Sequence, residues 1–264
     1  MEQEATLRLI IFLALFAVIA VAESLFPRRT RSQPRSRRWL TNWGMTLINT
    51  LTLRALAFVI PLLAVGAAMD AAQQGWGLFN QLNWPMWVEV ILAMLILDLA
   101  IWTQHLITHK VPVLWRLHRV HHADRDMDVT TAIRFHPVEI ALSMLLKIGL
   151  VYLMGPAAIA VVLFEIILNG TAMFNHANLR LPPALDAVLR RVLVTPDMHR
   201  VHHSTLRQEH DSNYGFALSI WDHMFRTYVA QPGNGHLEMQ VGLQWQDDRP
   251  SRLDWSLRLP FARK

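Results

Sequence analysis

Long apolar stretches separated by polar segments dominate the first two thirds of the chain. A membrane-spanning helix needs roughly 20 apolar residues, and three stretches come close to that length. We predict transmembrane helices at about residues 7–23, 43–69 and 84–104, with tryptophans near the ends of the third as interfacial anchors. A fourth stretch, at about 138–173, is broken by Gly155-Pro156. It predicts a helical hairpin that enters the membrane and returns to the same side.

The first two apolar stretches each carry a complication. A cleaved signal peptide would also begin with an apolar run, but no basic cluster precedes residues 9–22. An arginine-rich segment follows them, where a cleavage site would have small residues. In the second stretch, Pro61 predicts a kink. Arg54 should face protein or water rather than lipid.

The distribution of basic residues orients the predicted helices. Six arginines lie within residues 27–40, whereas the loop at 70–83 has no lysine or arginine. Basic loops stay on the cytoplasmic side of a membrane, so the N-terminus is predicted to lie outside. The third helix then returns to the cytoplasm. Because the hairpin returns as well, we predict a cytoplasmic cap at 105–137 and 174–230, followed by a tail at 231–264.

The composition agrees with an all-α integral membrane protein. Hydrophobic residues make up 53% of the 264 residues and charged residues only 17%, against about 25% charged in an ordinary soluble domain. A net charge of +5 would suit nucleic acid or anionic lipid. Since a juxtamembrane arginine cluster more often sets topology and contacts headgroups, we predict no nucleic-acid partner. The absence of cysteine excludes zinc held by thiolates, haem with a thiolate ligand and iron–sulfur clusters held by cysteine.

Histidines are the unusual feature of the polar segments, because ten of the 13 fall between residues 105 and 203. His105 and His109 form an HxxxH pair, and the pattern HxxHH occurs at 118–122 and again at 199–203. Side chains at i, i+3 and i+4 lie on one side of a helix. Imidazole-only sites suit iron, zinc, copper or nickel, and ten imidazoles are too many for one tetrahedral ion. The pattern therefore predicts two metal ions with open positions.

Carboxylates near the histidines are candidates to hold the second ring nitrogen of a metal ligand. Asp98 lies two helical turns before His105, and an acidic residue inside an apolar helix indicates a function. Asp197 precedes His199 by two residues, and Glu139 lies at the start of the predicted hairpin. We predict catalytic roles for Asp98 and Asp197. For the acidic residues at 124, 126 and 128 we favour a solvated loop.

An ordered set of motifs extends over most of the chain. It comprises RRWLTN (37–42), Asp98 with Trp102, LWRLHRVHH (114–122), TAIRFHP (131–137), HAN (176–178), TPDMHRVHHS (195–204), SNYG (212–215) and WD (221–222). In these motifs and their order, the chain resembles the fatty acid hydroxylase / sterol desaturase superfamily of membrane-bound, histidine-rich non-haem iron enzymes.

The resemblance implies a di-metal site, usually two iron ions (Fe2+/Fe3+), that activates O2 and oxidises an unactivated C–H bond of a lipid. Hydroxylation is the first expectation and desaturation the alternative. Carried over by position, the expected ligands are His105, His109, His118, His121, His122, His136, His176, His199, His202 and His203.

The chain departs from the family pattern after its WD motif. The family more often has arginine or lysine at the position of His223, and glycine at the position of Arg226. His210, His223 and His236 match no family histidine, and we expect them at the surface.

Electrons must come from elsewhere. The chain has no cysteine for an iron–sulfur cluster, no convincing dinucleotide-binding loop and no evident haem-binding domain. We therefore predict a separate electron-donor protein, docking on the basic cytoplasmic face, and a lipid substrate that enters from the bilayer between the helices. Two alternatives belong to other classes. A metal transporter would place histidines along a path across the membrane, and a zinc hydrolase would need neither oxygen nor reductant.

Overall fold

The computed structural model describes residues 2–60 and 63–262, and this part of the chain is helical with no β-strand. The helices are α1 (Glu2–Leu25), α2 (Arg35–Val59), α3 (Ala64–Gln74), α4 (Met86–Lys110), α5 (Pro112–His122), α6 (Pro137–Met154), α7 (Ala158–His176), α8 (Pro183–Leu189), α9 (Pro196–His202), α10 (Arg207–His210), α11 (Ile220–Met224), α12 (Gly235–Glu238) and α13 (Leu253–Arg258).

Among the described residues, five stretches are long and apolar enough to cross a membrane. They are Gln3–Leu25, Arg35–Gln81, Met86–Lys110, Pro137–Met154 and Ala158–His176. Large apolar side chains such as Val18, Leu47 and Phe58 are exposed on α1 and α2, as expected of surfaces that face lipid rather than water. The predicted all-α protein with membrane-spanning helices is confirmed.

The second apolar stretch differs from its prediction. It begins earlier, at Arg35, and falls into two helices, because α2 ends at Val59 and α3 begins at Ala64. Pro61, the predicted kink, lies outside the described residues. Arg54 is exposed on α2 and does not pack in the protein, so of the two expected surroundings only water remains. Its long side chain stands close to the end of the helix, from which it can extend toward the membrane interface.

One end of the bundle gathers the termini of five helices, and we call it the histidine end. Glu23, near the end of α1, accepts hydrogen bonds from the backbone N–H groups of Val129 (3.0 Å) and Asn178 (3.1 Å). Arg38, near the start of α2, pairs with Asp124 just after α5. The ends of α4 and α7 and the start of α6 lie here too, as the histidine contacts below show.

The opposite end holds the turn between α6 and α7. The backbone N–H of Ala157 donates to Glu89, in the first turn of α4. Gly155 ends α6 with a φ of +65°, and a Cβ there would overlap the backbone oxygen of Trp76. Only glycine suits this left-handed, closely packed position. Each helix of this pair is about 27 Å long, so α6 and α7 run the length of the bundle and return the chain to the histidine end.

Small residues let these helices approach closely. Ala93 and Leu97 of α4 pack against Ala160 and Phe164 of α7 in one buried cluster. At the histidine end, the C-terminal segment packs on α2 and α5 through a second cluster that comprises Met45, Val120, Ala123, Leu243 and Leu259.

Because α3 and α10 lie at opposite ends of the bundle, exposed residues on them should face opposite sides of a membrane. The native chain has no cysteine, so single cysteines report without background. Gln73→Cys on α3 and Gln208→Cys on α10 are expected to react with a membrane-impermeant maleimide from opposite faces of sealed vesicles, with the native chain as the unlabelled control. Labelling of both from the same face would contradict the arrangement.

Candidate metal centre

Nine of the ten predicted histidine ligands come together in two buried clusters at the histidine end. Within each cluster, one ring nitrogen from every histidine lies within 4.8 Å of the others. The first cluster comprises His105, His109, His118, His122 and His202. The second cluster comprises His121, His176, His199 and His203.

Each HxxHH motif contributes histidines to both clusters, and the two motifs divide their histidines between the clusters in opposite ways. The outer two histidines of the motif at 118–122 belong to the first cluster, and the middle one belongs to the second. In the motif at 199–203 the outer two belong to the second cluster and the middle one to the first. Residues i and i+4 share a helix face, whereas i+3 and i+4 differ by about 100° around the axis. Each motif therefore bridges the two clusters.

Hydrogen bonds fix the tautomer of five of these rings. In each, Nδ1 contacts an oxygen that can only accept, so Nδ1 carries the proton and Nε2 keeps its lone pair. The contacts are His105 with Tyr214 O (2.7 Å), His118 with Glu139 Oε1 (2.6 Å), His121 with Arg134 O (3.2 Å), His176 with Ala172 O (2.7 Å) and His202 with Ser212 O (2.6 Å).

The bare Nε2 atoms face one another. In the first cluster, Nε2 of His105 lies 3.0 Å from Nε2 of His118. In the second, Nε2 of His176 lies 3.0 Å from that of His121. It also lies 3.1 Å from Nε2 of His199, a ring whose Nδ1 has no partner to fix its tautomer. Two lone pairs cannot hydrogen-bond to each other. Two nitrogens bound to one ion at about 2.1 Å, roughly at right angles, would stand ~3.0 Å apart. The spacing therefore fits a cation within each cluster.

Burial keeps the imidazoles in the neutral form that binds metal. Desolvation first, and then the charges of neighbouring histidines, hold the pKa values of His121, His122, His199 and His203 well below the ordinary value. Desolvation likewise lowers the pKa of His202. Both ring nitrogens of His122 and His203 lack a hydrogen-bond partner in the described part of the chain. Buried polar atoms without partners are costly, and a metal ion would satisfy them.

Two carboxylates support the first cluster. Glu139 accepts the Nδ1–H of His118 directly. Asp222 acts through the backbone: it is fully buried and accepts hydrogen bonds from the N–H groups of Tyr214 (2.9 Å) and Gly215 (2.8 Å). It thereby fixes the Tyr214 carbonyl that holds His105. Asp222 belongs to the WD motif of the sequence. Its role at the site was not predictable, because only the fold brings it beside Tyr214.

The two predicted acidic site residues do not contact either cluster. Asp98 accepts hydrogen bonds from Trp221 Nε1 (2.7 Å) and the backbone N–H of Leu218 (3.3 Å). Asp197 pairs with Arg28 and Arg200. Asp98 therefore ties α4 to the segment that carries the WD motif, and Asp197 ties α9 to the arginine-rich segment after α1.

The remaining histidines lie outside both clusters. His136 caps α6: its Nδ1 accepts from Val138 N (3.3 Å) and its Nε2 donates to Leu257 O (3.2 Å), so both ring nitrogens are engaged. His223 is exposed, as expected. The expectation of surface positions was wrong for the other two, since His236 is buried and His210 is half-buried.

Two of the three acidic residues after α5, Asp124 and Asp128, form a buried network instead of the expected solvated loop, whereas Asp126 is half-buried. The Arg38 guanidinium donates to Asp124 and Asp128, and all three side chains are buried. Burial alone would raise the pKa of Asp124, but the charge of Arg38 outweighs this and lowers it to about 2. Asp128 caps the helical turn Val129–Ile133. The network joins α2 to the segment that follows the HxxHH motif of α5.

An apolar cavity of about 290 Å³ reaches the first cluster. His105 and His118 form part of its wall. The rest comes largely from the helices that span the bundle, with Phe12 of α1, Leu53 of α2, Ile101 of α4, Ile140 of α6 and Leu168 of α7. The cavity therefore connects the histidine end with the lipid-facing part of the molecule.

Fold and site together define a class: a helical protein with multiple membrane-type spans, whose buried histidine clusters at one end are suited to bind metal. A profile of the fatty acid hydroxylase family matches residues 90–227, which is more than half of the chain and includes every histidine of both clusters. The chain belongs to the fatty acid hydroxylase family, and the resemblance inferred from its motifs is confirmed.

Several characterised proteins are similar to the chain. It is 27% identical to the ornithine lipid hydroxylase of Rhizobium tropici over 226 residues, 84% of this chain and 67% of that protein. It is 31% identical to human alkylglycerol monooxygenase over 158 residues, 60% of this chain and 34% of that protein. A fatty acid hydroxylase of Lecanicillium sp is 25% identical over 222 residues, covering 76% and 56% of the two chains. No solved structure matches.

The departure at Arg226 has a conformational consequence. Arg226 has a φ of +59°, in the left-handed region that costs roughly 1–2 kcal/mol for a residue with a Cβ, and the glycine more usual in the family avoids this cost. Arg226→Gly is therefore expected to stabilise the purified protein by about 1 kcal/mol, seen as a raised thermal midpoint. The control is Arg37→Gly on exposed, right-handed α2, which should lower it. A lower midpoint for Arg226→Gly would contradict the assignment.

Proposed function

We propose that the chain is an O2-dependent lipid hydroxylase. In the overall reaction, one oxygen atom of O2 is inserted into a C–H bond of the lipid, and the other leaves as water. The balance needs two electrons and two protons, which a separate electron-donor protein supplies. The observation that carries the proposal is a pair of facing, bare Nε2 atoms 3.0 Å apart in each of two adjacent buried clusters.

The metals proposed are two iron ions, one in each cluster. Neutral imidazole suits iron as well as zinc and copper. The similar proteins are named hydroxylase and monooxygenase, and oxygen chemistry needs a redox-active ion, which favours iron over zinc. Bound iron would supply one-electron redox chemistry and open positions for O2. The five histidines of one cluster and the four of the other would hold the ions, and an ion with six positions would keep at least one open.

The protein itself contributes rigidity and exclusion of water. Five Nδ1 hydrogen bonds fix ring orientations before any ion binds, and such outer contacts tune metal affinity and activity. Asp98 and Asp197 are positioning residues in this account. They anchor the segments that carry the WD motif and α9, and they have no direct part in the chemistry.

The substrate is a lipid that reaches the first cluster through the apolar cavity. The cavity lies between helices whose outer surfaces are apolar and exposed, which supports entry from the bilayer. The similar proteins are named for ornithine lipid, alkylglycerol and fatty acid, which are all lipids. These names support the class of substrate proposed here.

The histidine end is proposed to face the cytoplasm, with the N-terminus outside and the electron donor docking on the basic face. The charge asymmetry supports this orientation, because the arginine-rich segment at 28–38 lies at the histidine end. Several of these arginines also bind carboxylates of the cap, as Arg28 does with Asp197 and Arg38 with Asp124. They therefore help to hold the cap as well.

The test is turnover under 18O2 with a supplied electron donor. A lipid extract should yield products that carry one 18O atom, and none without oxygen. His121→Ala and His202→Ala, one from each cluster, should lower activity by at least about 100-fold and reduce bound iron. The matched control is His223→Ala, which removes an exposed histidine and should change neither quantity.

The alternatives give different results. An alkene product without 18O would indicate a desaturase, and product formed without oxygen would indicate a hydrolase. Unchanged iron content in both cluster variants would contradict the proposed ligands.

A further inference from the structure

The wall of the apolar cavity contains two buried side-chain oxygens without partners among the described residues. They are Oδ1 of Asn49, on α2, and Oε2 of Glu139, on α6. The residues are 8% and 7% exposed. A buried acceptor that is left unpaired is costly, so these two atoms indicate what the cavity is built to receive.

The orientation of the Asn49 amide is fixed by its other atom. Nδ2 of Asn49 donates to the backbone oxygen of Phe135 at 3.1 Å, and a carbonyl can only accept. The free atom of the amide is therefore the acceptor Oδ1. Phe135 stacks on His121, with ring centroids 4.4 Å apart. Asn49 accordingly stands at the metal end of the cavity.

Glu139 occupies the same end. Its Oε1 accepts the Nδ1–H of His118 at 2.6 Å, which leaves Oε2 as a second free acceptor one side chain away from the first cluster. The threonines of the wall already donate their hydroxyls to helix carbonyls, as Thr46 does to Asn42 and Thr50 to Thr46. The buried side-chain atoms of the wall that lack a partner are therefore both acceptors, and they call for hydrogen-bond donors.

We propose that the cavity selects lipids with a neutral hydrogen-bond donor, a hydroxyl or an amide N–H, which Asn49 and Glu139 bind beside the C–H bond that is oxidised. The inference rests on the proposed function and deepens it. An ether, ester or ketone oxygen alone would face two acceptors and leave them unpaired. An ammonium group would be repelled by the ions proposed for the clusters. Oxidation should therefore occur within a few carbons of the donor and away from the distal end of the chain.

The experiment compares pairs of lipids of nearly equal shape that differ in the donor. Tritiated hexadecanamide is paired with heptadecan-2-one, in which a methyl group replaces the NH2. Hexadecan-1-ol is paired with 1-fluorohexadecane. Binding is measured on the purified holoenzyme without reductant, so that no turnover occurs. The donor lipid of at least one pair should bind roughly tenfold more tightly, and the pair with the larger ratio identifies the donor.

Two variants separate hydrogen bonding from general packing. Asn49→Leu keeps similar bulk but removes the acceptor. In this variant, the ratio of the affinities for the two lipids of a pair should fall close to one. The matched control is Leu53→Ala, in the same wall, which should weaken both members of a pair alike and preserve their ratio. Equal binding within both pairs by the native protein, which needs no variant, would overturn the proposal.

The position of oxidation gives a second, independent readout. Fragmentation mass spectrometry of products should place the new oxygen near the donor group, and oxidation at the distal end would overturn the inference. Selective binding without any oxidation would leave the donor preference standing and contradict the proposed function. Oxidation without selective binding would support the proposed function and overturn the donor preference.

Discussion

The structure depends on one electrostatic constraint: imidazole lone pairs that face one another in a buried space need a cation between them. Nine histidines are packed where water cannot reach their free nitrogens, and the closest Nε2 pairs stand 3.0 Å apart. Without ions, each such contact combines lone-pair repulsion with unpaired buried acceptors. With ions, the same geometry becomes a set of metal–ligand bonds. The histidine end is therefore a fold that metal binding should help to stabilise.

The rest of the architecture serves to bring these rings to one place. The pair α6 and α7 runs to the far end of the bundle and back, so that His118 and Glu139 meet at the start of one helix and His176 ends the other. Buried charges then fix the connecting segments. On one side of the cap, Arg38 pairs with both Asp124 and Asp128. On the other side, Asp222 accepts a hydrogen bond from the backbone N–H of Tyr214. The same arrangement opens an apolar cavity from the lipid-facing helices to the first cluster.

Much of this could be predicted from the sequence, because the decisive signals are local. Apolar lengths indicated the membrane-type helices, and histidine spacing indicated two metal sites. The division of each HxxHH motif between clusters was not predictable, since it depends on how α5 and α9 face each other. The roles of Asp98 and Asp197 were misplaced for the same reason: closeness in sequence to a histidine says little about which partner a carboxylate finds across the fold. The burial of Asp124 and Asp128 was not predictable from their neighbours either, because their partner, Arg38, lies some ninety residues earlier.

The most direct test of the account is the metal content and X-ray absorption spectrum of the purified native protein. Two iron ions per chain are expected, with a first coordination shell of nitrogen and oxygen at about 2.1 Å and the multiple-scattering pattern of imidazole. A protein that is folded and active with no bound metal, or with one ion in a shell poor in imidazole, would contradict the claim that the two histidine clusters exist to hold a pair of ions.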